Sequence, residues 1–242
     1  MAPITFAHRG ARLLHPENTI PAFRGALAAG ARGLETDAWL SSDGEVVLTH
    51  DVRVDGPLFG IWKLRVGHTT AARLARHGVP RLTELFAELG CDYDLSIDIK
   101  DQGAAEPIIE VVRRVGVADR TWLCSPSLDL LHNLRSHAKD IRLVHSTPRR
   151  RLPDSLERHA ADLAAAQIDT MNLHYSAWSK GVVGLFHRFG LRAFAWDVQE
   201  VRHLRAMLDF GIDAVYCDHV ERMVATVAEW AATNPPTSEG DD

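Results

Sequence analysis

The stretch Ala7-His8-Arg9-Gly10 ends an apolar run, Ile4-Thr5-Phe6-Ala7, with an imidazole and a guanidinium. A strand end that needed only to turn would be served by Gly, Asn or Asp, so these two side chains ask for a chemical reason. Polar groups recur at the ends of the other apolar runs: Glu35 and Asp37, His50, Asp98 and Lys100, Ser125, His145, His174, Trp196 and Asp197, and Asp218. Alternate residues of a strand share a face, so Glu35 and Asp37 point one way, as do Asp98 and Lys100. Three carboxylates meeting at one place raise one another's pKa unless a cation compensates. Oxygen donors alone suit a hard ion, Mg²⁺ or Ca²⁺; the alternative is an ion network with Arg9 and Lys100. A lone His usually serves structure, but His8 and His50 together beside this cluster suit general acid and base roles. Cations with a metal suit a phosphate oxyanion. Types and positions together point to metal-assisted phosphoester chemistry.

Such groups need a scaffold that brings many strand ends together. Strands are predicted at 3–8, 33–39, 94–100, 121–125, 141–146, 169–174, 191–198 and 213–218. Helical patterns follow at 19–30, 82–89, 104–116, 127–138, 154–166, 177–189, 200–210 and 220–232; Ala22, Phe23, Ala26 and Leu27 show the spacing of a packed helix. Eight strand–helix units in a 242-residue chain predict an α/β fold, a (β/α)8 TIM barrel whose site lies at the C-terminal ends of its strands. A doubly wound sheet is the alternative, but no GxGxxG follows the first strand. A ninth run, 46–50, follows Asp43-Gly44, a two-residue hairpin signal. It is expected to fold back on strand 2 with Asp37 opposite His50, giving a short insertion after strand 2. Residues 51–81 are expected to form one long irregular connection, an active-site loop or a small cap. The predicted organisation is one domain over 1–233 with a polar, Pro-rich tail over 234–242 that is expected to be disordered.

Composition narrows the partners. The chain is 46% hydrophobic and 24% charged, and its formal net charge of −5 argues against nucleic acid. The run Arg149-Arg150-Arg151 is read as a solvated loop. No apolar stretch reaches the ~20 residues of a membrane helix, so no stable membrane insertion is expected. The start of the chain shows no secretory signal, and Cys91, Cys124 and Cys217 have no CxxC spacing. Reduced cysteines and a cytoplasmic location are the expectation.

The ordered motifs resemble the glycerophosphodiester phosphodiesterase family. They are His8-Arg9-Gly10, Pro16-Glu17-Asn18-Thr19 with Ala22-Phe23, Glu35-x-Asp37, Asp43-Gly44 with Val46-Val47, and His50-Asp51. Further on come Pro80-x-Leu82, Asp98-Ile99-Lys100, Trp196, and Gly211-Ile212-Asp213-Ala214 before Asp218. The resemblance implies a (β/α)8 barrel that cleaves glycerophosphodiesters to glycerol 3-phosphate and an alcohol with one divalent metal ion. It implies His8 and His50 as the acid–base pair and Glu35, Asp37 and Asp98 as metal ligands. Arg9 and Lys100 would hold the phosphate, Trp196 would pack on the substrate, and Glu17 would orient Arg9. Asn18 or Thr19 is expected to cap the following helix.

Some positions depart from that pattern. Asp98 stands where the family usually has Glu, Asp197 and Gln199 where it commonly has Thr and Asn, and His219 follows Asp218. The 51–81 insertion is shorter than in many members, and His145 and His174 match no motif. A lysophospholipase D or sphingomyelinase-like lipid phosphodiesterase is a second expectation, with Leu58, Phe59, Ile61 and Trp62 as an apolar rim. A non-catalytic phosphate-binding barrel is a third.

Overall fold

The computed structural model describes residues 3–56 and 63–234. Its strands are β1 (Ile4–His8), β2 (Gly33–Leu40), β3 (Val46–Leu48), β4 (Arg53–Asp55), β5 (Lys63–Arg65), β6 (Asp94–Ile99), β7 (Thr121–Ser125), β8 (Arg142–Ser146), β9 (Thr170–His174), β10 (Arg192–Trp196) and β11 (Ala214–Cys217). Its α-helices are α1 (Ile20–Ala28), α2 (Ala71–Ala75), α3 (Leu82–Leu89), α4 (Ala105–Val115), α5 (Leu128–Arg135), α6 (Leu156–Ala165), α7 (Lys180–Arg188), α8 (Val201–Phe210) and α9 (Val220–Thr233). β1, β2 and β6 to β11 are parallel neighbours, and β1 pairs with both β2 and β11, so the sheet closes. This is the (β/α)8 barrel that the strand–helix alternation predicts, and closure rules out the open doubly wound sheet.

Period-two alternation explains both the core and the site. Ile4, Phe6, Trp122, Cys124, Val144, Phe194, Ala214 and Tyr216 form one buried cluster inside the barrel. Phe6 stacks on Tyr216 with ring centroids 4.8 Å apart, and Phe194 meets Trp122 at 5.0 Å. Each such ring, fully buried, contributes roughly 1.5–3 kcal/mol relative to exposure. Gly33 makes room for this packing, because a Cβ there would lie 2.6 Å from Phe6 Cδ1. One or two alternate positions further along these strands stand His8, Glu35, Asp98, Trp196 and Asp218. The parity that fills the barrel with rings therefore carries the polar groups to its mouth.

The hairpin after β2 differs from expectation by one residue. Ser41 N–H donates to Glu45 O at 2.9 Å, Gly44 N–H donates to Ser41 O at 3.1 Å, and Gly44 has φ +81°. Ser42, Asp43 and Gly44 thus form a three-residue loop closed by a left-handed glycine, a common alternative to the two-residue turn. The pairs are Ala38 with Leu48, Trp39 with Val47 and Leu40 with Val46. Thr49, not His50, stands opposite Asp37 and donates to its carbonyl at 2.9 Å.

Residues 51–81 are not one irregular loop. β4 and β5 form an antiparallel pair, and Val66, Ala71, Leu74 and Val79 pack with Val47 in a small separate core. Leu58, Phe59, Ile61 and Trp62, and residues 235–242 of the tail, lie outside the described residues. Among the described residues, no helix is long and apolar enough to cross a membrane.

The turn after β1 fixes where α1 begins. Thr19 Oγ1 accepts the Ala22 N–H at 3.4 Å, so Thr19 is the cap, with Pro21 in the first turn. Gly10 has φ +79°, and a Cβ there would lie 2.7 Å from the Ala22 carbonyl carbon, which is helix backbone. Gly10→Ala is expected to cost about 1–3 kcal/mol of stability, read as a lower Tm. An unchanged Tm would show that α1 can yield.

Candidate active site

A cavity of about 440 Å³ opens at the C-terminal ends of the strands, lined by His8, Arg9, Glu35, Asp98, Trp196 and Asp218 among others. Its floor is Ser96, Cys124 and Tyr216, tied by Ser96 Oγ at 3.0 Å from Tyr216 Oη and 3.3 Å from Cys124 Sγ. The register of β1 with β11 pairs Ala7 with Cys217, which sets His8 beside Asp218. Asp218 Oδ1 accepts from His8 Nδ1 at 2.7 Å, and His8 Nε2 lies 3.9 Å from Glu35 Oε2. With its proton on Nδ1, neutral His8 presents Nε2 as the free lone pair.

Arg9 takes a left-handed conformation, φ +58°, at the strand end. Its backbone N–H donates to Glu35 Oε2 at 2.9 Å, and its guanidinium donates from Nη1 to Glu17 Oε1 at 3.0 Å. Arg9 Nε is 3.2 Å from Asp37 Oδ2 but out of line for a hydrogen bond, so that contact is an ion pair. Arg12 is a second cation in the lining: it bonds Glu17 at 2.8 Å and lies 3.7 Å from Asp218.

Asp37 is 1% exposed, and its two carboxylate oxygens are already engaged by neighbouring cations and an amide. Lys100 Nζ holds it at 2.9 Å and also binds Asp98 at 2.9 Å, while Asn18 Nδ2 donates to Asp37 at 3.0 Å. Burial opposes the charge on Asp37, but Lys100 and Arg9 outweigh it and hold its pKa below the usual range. Asn18 is fixed in turn by Thr36 Oγ1 at 2.7 Å. So the ion-network alternative describes Asp37, and Lys100 does not line the cavity among the described residues. No group of three or more His, Cys, Asp or Glu stands in ready-made metal geometry among them either.

The charge balance nonetheless leaves room for a cation. Glu17, Glu35, Asp37, Asp98 and Asp218 face only Arg9, Arg12 and Lys100 in the connected network, two positive charges short when all five acids are ionised and His8 is neutral. Burial pushes the Glu35 carboxyl up to about 8; His8 opposes this, while Asp37 and Asp98 add to it. The donor set Glu35, Asp37 and Asp98 is all hard oxygen and fits Mg²⁺ or Ca²⁺.

His50 is not in the cavity lining. It follows the β3 end, its side chain is 38% exposed, and its Nδ1 is 2.9 Å from Asp51 Oδ1. The other face of the barrel end supplies residues that sequence reasoning left unassigned. Ser146, Thr147, Asn172, Asp197 and Gln199 line the cavity. Gln199 Oε1 accepts from Asp218 N–H at 3.0 Å, which ties that wall to the partner of His8.

His145 lies behind this wall, paired with His159 on α6. The two are each 4% exposed, with His145 Nδ1 3.1 Å from His159 Nε2. Burial, then the neighbouring His159, pushes His145 down to about 4, against a hydrogen bond to the Pro126 carbonyl. The folded state thus refuses a proton that the unfolded chain takes near pH 6.5. Stability from this residue is complete above pH ~6.5 and lost progressively as pH falls toward 4, by up to ~3 kcal/mol. The Tm of wild type should therefore fall more steeply over that window than that of His145→Gln; parallel curves would contradict the assignment.

Comparisons agree with this geometry. Residues 8–222 match the Glycerophosphoryl diester phosphodiesterase family. The chain belongs to that family and is an enzyme, a phosphodiesterase. A glycerophosphodiester phosphodiesterase of Caldanaerobacter subterraneus is 26% identical over 94% of this chain and 98% of its own. The crystal structure of glycerophosphodiester phosphodiesterase from Thermotoga maritima is 27% identical, with a TM-score of 0.80 over 93% of this chain and 98% of that one. A phosphodiesterase from Oleispira antarctica, solved in complex with the product sn-glycerol-3-phosphate, is 19% identical with a TM-score of 0.76 over 94% of this chain and 97% of its own, a likeness of fold. Family membership sets aside the non-catalytic barrel.

Proposed function

We propose that this enzyme hydrolyses glycerophosphodiesters to glycerol 3-phosphate and an alcohol, with one divalent metal ion and two histidines. The observation that carries the reading is His8, oriented by Asp218, beside Glu35 and two arginines in one cavity. Binding alone needs no imidazole fixed with a free Nε2. Relatives bearing the name of this activity over nearly the whole chain support the substrate class.

The substrate's own 2-hydroxyl lies within reach of its phosphorus, so no protein nucleophile is required. One histidine removes that proton while the other protonates the leaving alkoxide; water then opens the 1,2-cyclic phosphate by the reverse exchange. His8 acts at Nε2. His50 is the second member, with its Nδ1 held by Asp51 as that of His8 is held by Asp218. Arg9 and Arg12 face the anionic phosphate, and Lys100 keeps Asp37 and Asp98 in place. Bound at Glu35, Asp37 and Asp98, a divalent ion would supply the missing positive charge against the phosphate. Three free cysteines, with Cys124 and Cys217 buried, fit a reducing, cytoplasmic setting.

The test is turnover of a diester with and without a free 2-hydroxyl. Fast cleavage of the first alone, with a cyclic phosphate early in the reaction, is the expected result. Equal cleavage of both would show direct attack by water. A lysolipid belongs in the same panel, for a specific reason. Leu13 and Leu14 are 56% and 73% exposed and line, with Ala11, Ala29 and Val220, a groove that shares Asp218 with the catalytic cavity.

A further inference from the structure

The catalytic groups occupy one side of the cavity, on β11, β1, β2 and β6. The opposite wall, from β8 to the turn after β10, is made of Ser146, Thr147, Asn172, Trp196 and Gln199, with one charged group, Asp197. That group is unusual in two respects. It sits in a left-handed conformation, φ +64°, which costs a residue other than glycine energy and is retained where surrounding contacts fix it. Its carboxylate is held between an imidazole and an amide: His174 Nε2 lies 3.1 Å from Oδ2, and Gln199 Nε2 donates to Oδ1 at 3.2 Å. On its other side the His174 ring is held by Ser176, with Nδ1 2.7 Å from Ser176 Oγ and 3.3 Å from the Ser176 N–H.

Asp197 therefore has no Arg or Lys partner among the described residues, unlike Glu17, Asp37 and Asp98 across the cavity. The Asp197 side chain is 49% exposed. Beside it the Trp196 ring stands edge-on to the His174 ring, at 4.7 Å and 73°, which steadies the indole in the cavity wall. A carboxylate with an aromatic ring next to it is the pair of groups that holds an ammonium or quaternary ammonium, by charge and by the ring's negative face. None of Arg149, Arg150 and Arg151, which follow the Ser146-Thr147-Pro148 wall, is in the cavity lining among the described residues to cancel it.

We propose that Asp197, with Trp196, is the specificity determinant of this enzyme and selects diesters whose leaving alcohol carries a cationic amine, such as choline or ethanolamine. The inference rests on the glycerophosphodiester reading above. Asp197 takes no part in the proton transfers; it binds the leaving group before and during them.

The experiment compares kcat/KM for glycerophosphocholine and for glycerophosphoglycerol, whose leaving alcohol is neutral, in wild type and Asp197→Asn. The ratio of the two is expected to fall about ten-fold in the variant, the size of one partly desolvated cation contact. An equal loss on both substrates would overturn the proposal and make Asp197 a group that positions Gln199 and Asp218. So would an unchanged ratio. A second measurement uses wild type alone: tetramethylammonium should inhibit glycerophosphoglycerol cleavage competitively, and absence of inhibition would overturn the cationic subsite. If wild type cleaves neither diester, it is the underlying function that fails, and the proposal falls with it.

Discussion

His8→Ala is expected to lower turnover of glycerophosphocholine by about 10²–10⁴-fold, the usual size of a general acid–base contribution. The fold should survive, because the His8 side chain is 30% exposed and no ring of the barrel core packs on it. Asp218→Asn should fall in the same range, since an amide that donates its N–H to His8 Nδ1 holds the imidazole in the wrong tautomer. Full activity of His8→Ala would remove the proton-transfer role from that imidazole. His50→Ala is expected to fall in the same range, and a normal rate there would leave His8 without its partner.

Chelation is expected to have an effect as large. EDTA should bring turnover below about 1% of the untreated rate, and Mg²⁺, Ca²⁺ or Mn²⁺ should restore it. The physical ground is the shortage of positive charge around Glu35, Asp37 and Asp98, together with burial of Glu35 to 6% exposure. The same ion should raise Tm, because it binds the folded carboxylates and not the unfolded chain. Glu35→Gln should abolish both the rescue and the Tm shift. Undiminished turnover in chelated protein would show that Lys100, Arg9 and Arg12 supply all the charge the reaction needs.

The barrel was legible because its strands and helices carry unbroken local patterns. Strand parity was enough to send Glu35 and Asp98 toward one mouth, and Asp218 could have been matched to His8 by closing the barrel in register. The side-chain network was less legible. That Lys100 and Arg9 both reach Asp37 depends on which groups arrive at the same depth, and that is set by packing rather than by spacing. The placement of His50 missed for a different reason: Asp43-Gly44 announces a hairpin but does not fix its length, and one extra loop residue put Thr49 opposite Asp37. Of the two expected caps Thr19 is the one that caps the helix, while Asn18, with a left-handed backbone at φ +55°, aims its amide at Asp37. The His145–His159 pair joins a strand to a helix fourteen residues away, with no periodicity to announce it.

The most direct measurement of the central claim is ³¹P NMR of glycerophosphocholine incubated with purified protein and Mg²⁺ or Ca²⁺. Cleavage on the leaving-alcohol side of phosphorus predicts that the diester resonance gives way to glycerol 3-phosphate, with a transient 1,2-cyclic phosphate before it. A phosphocholine resonance instead, or a diester signal that persists with every divalent ion, would contradict it.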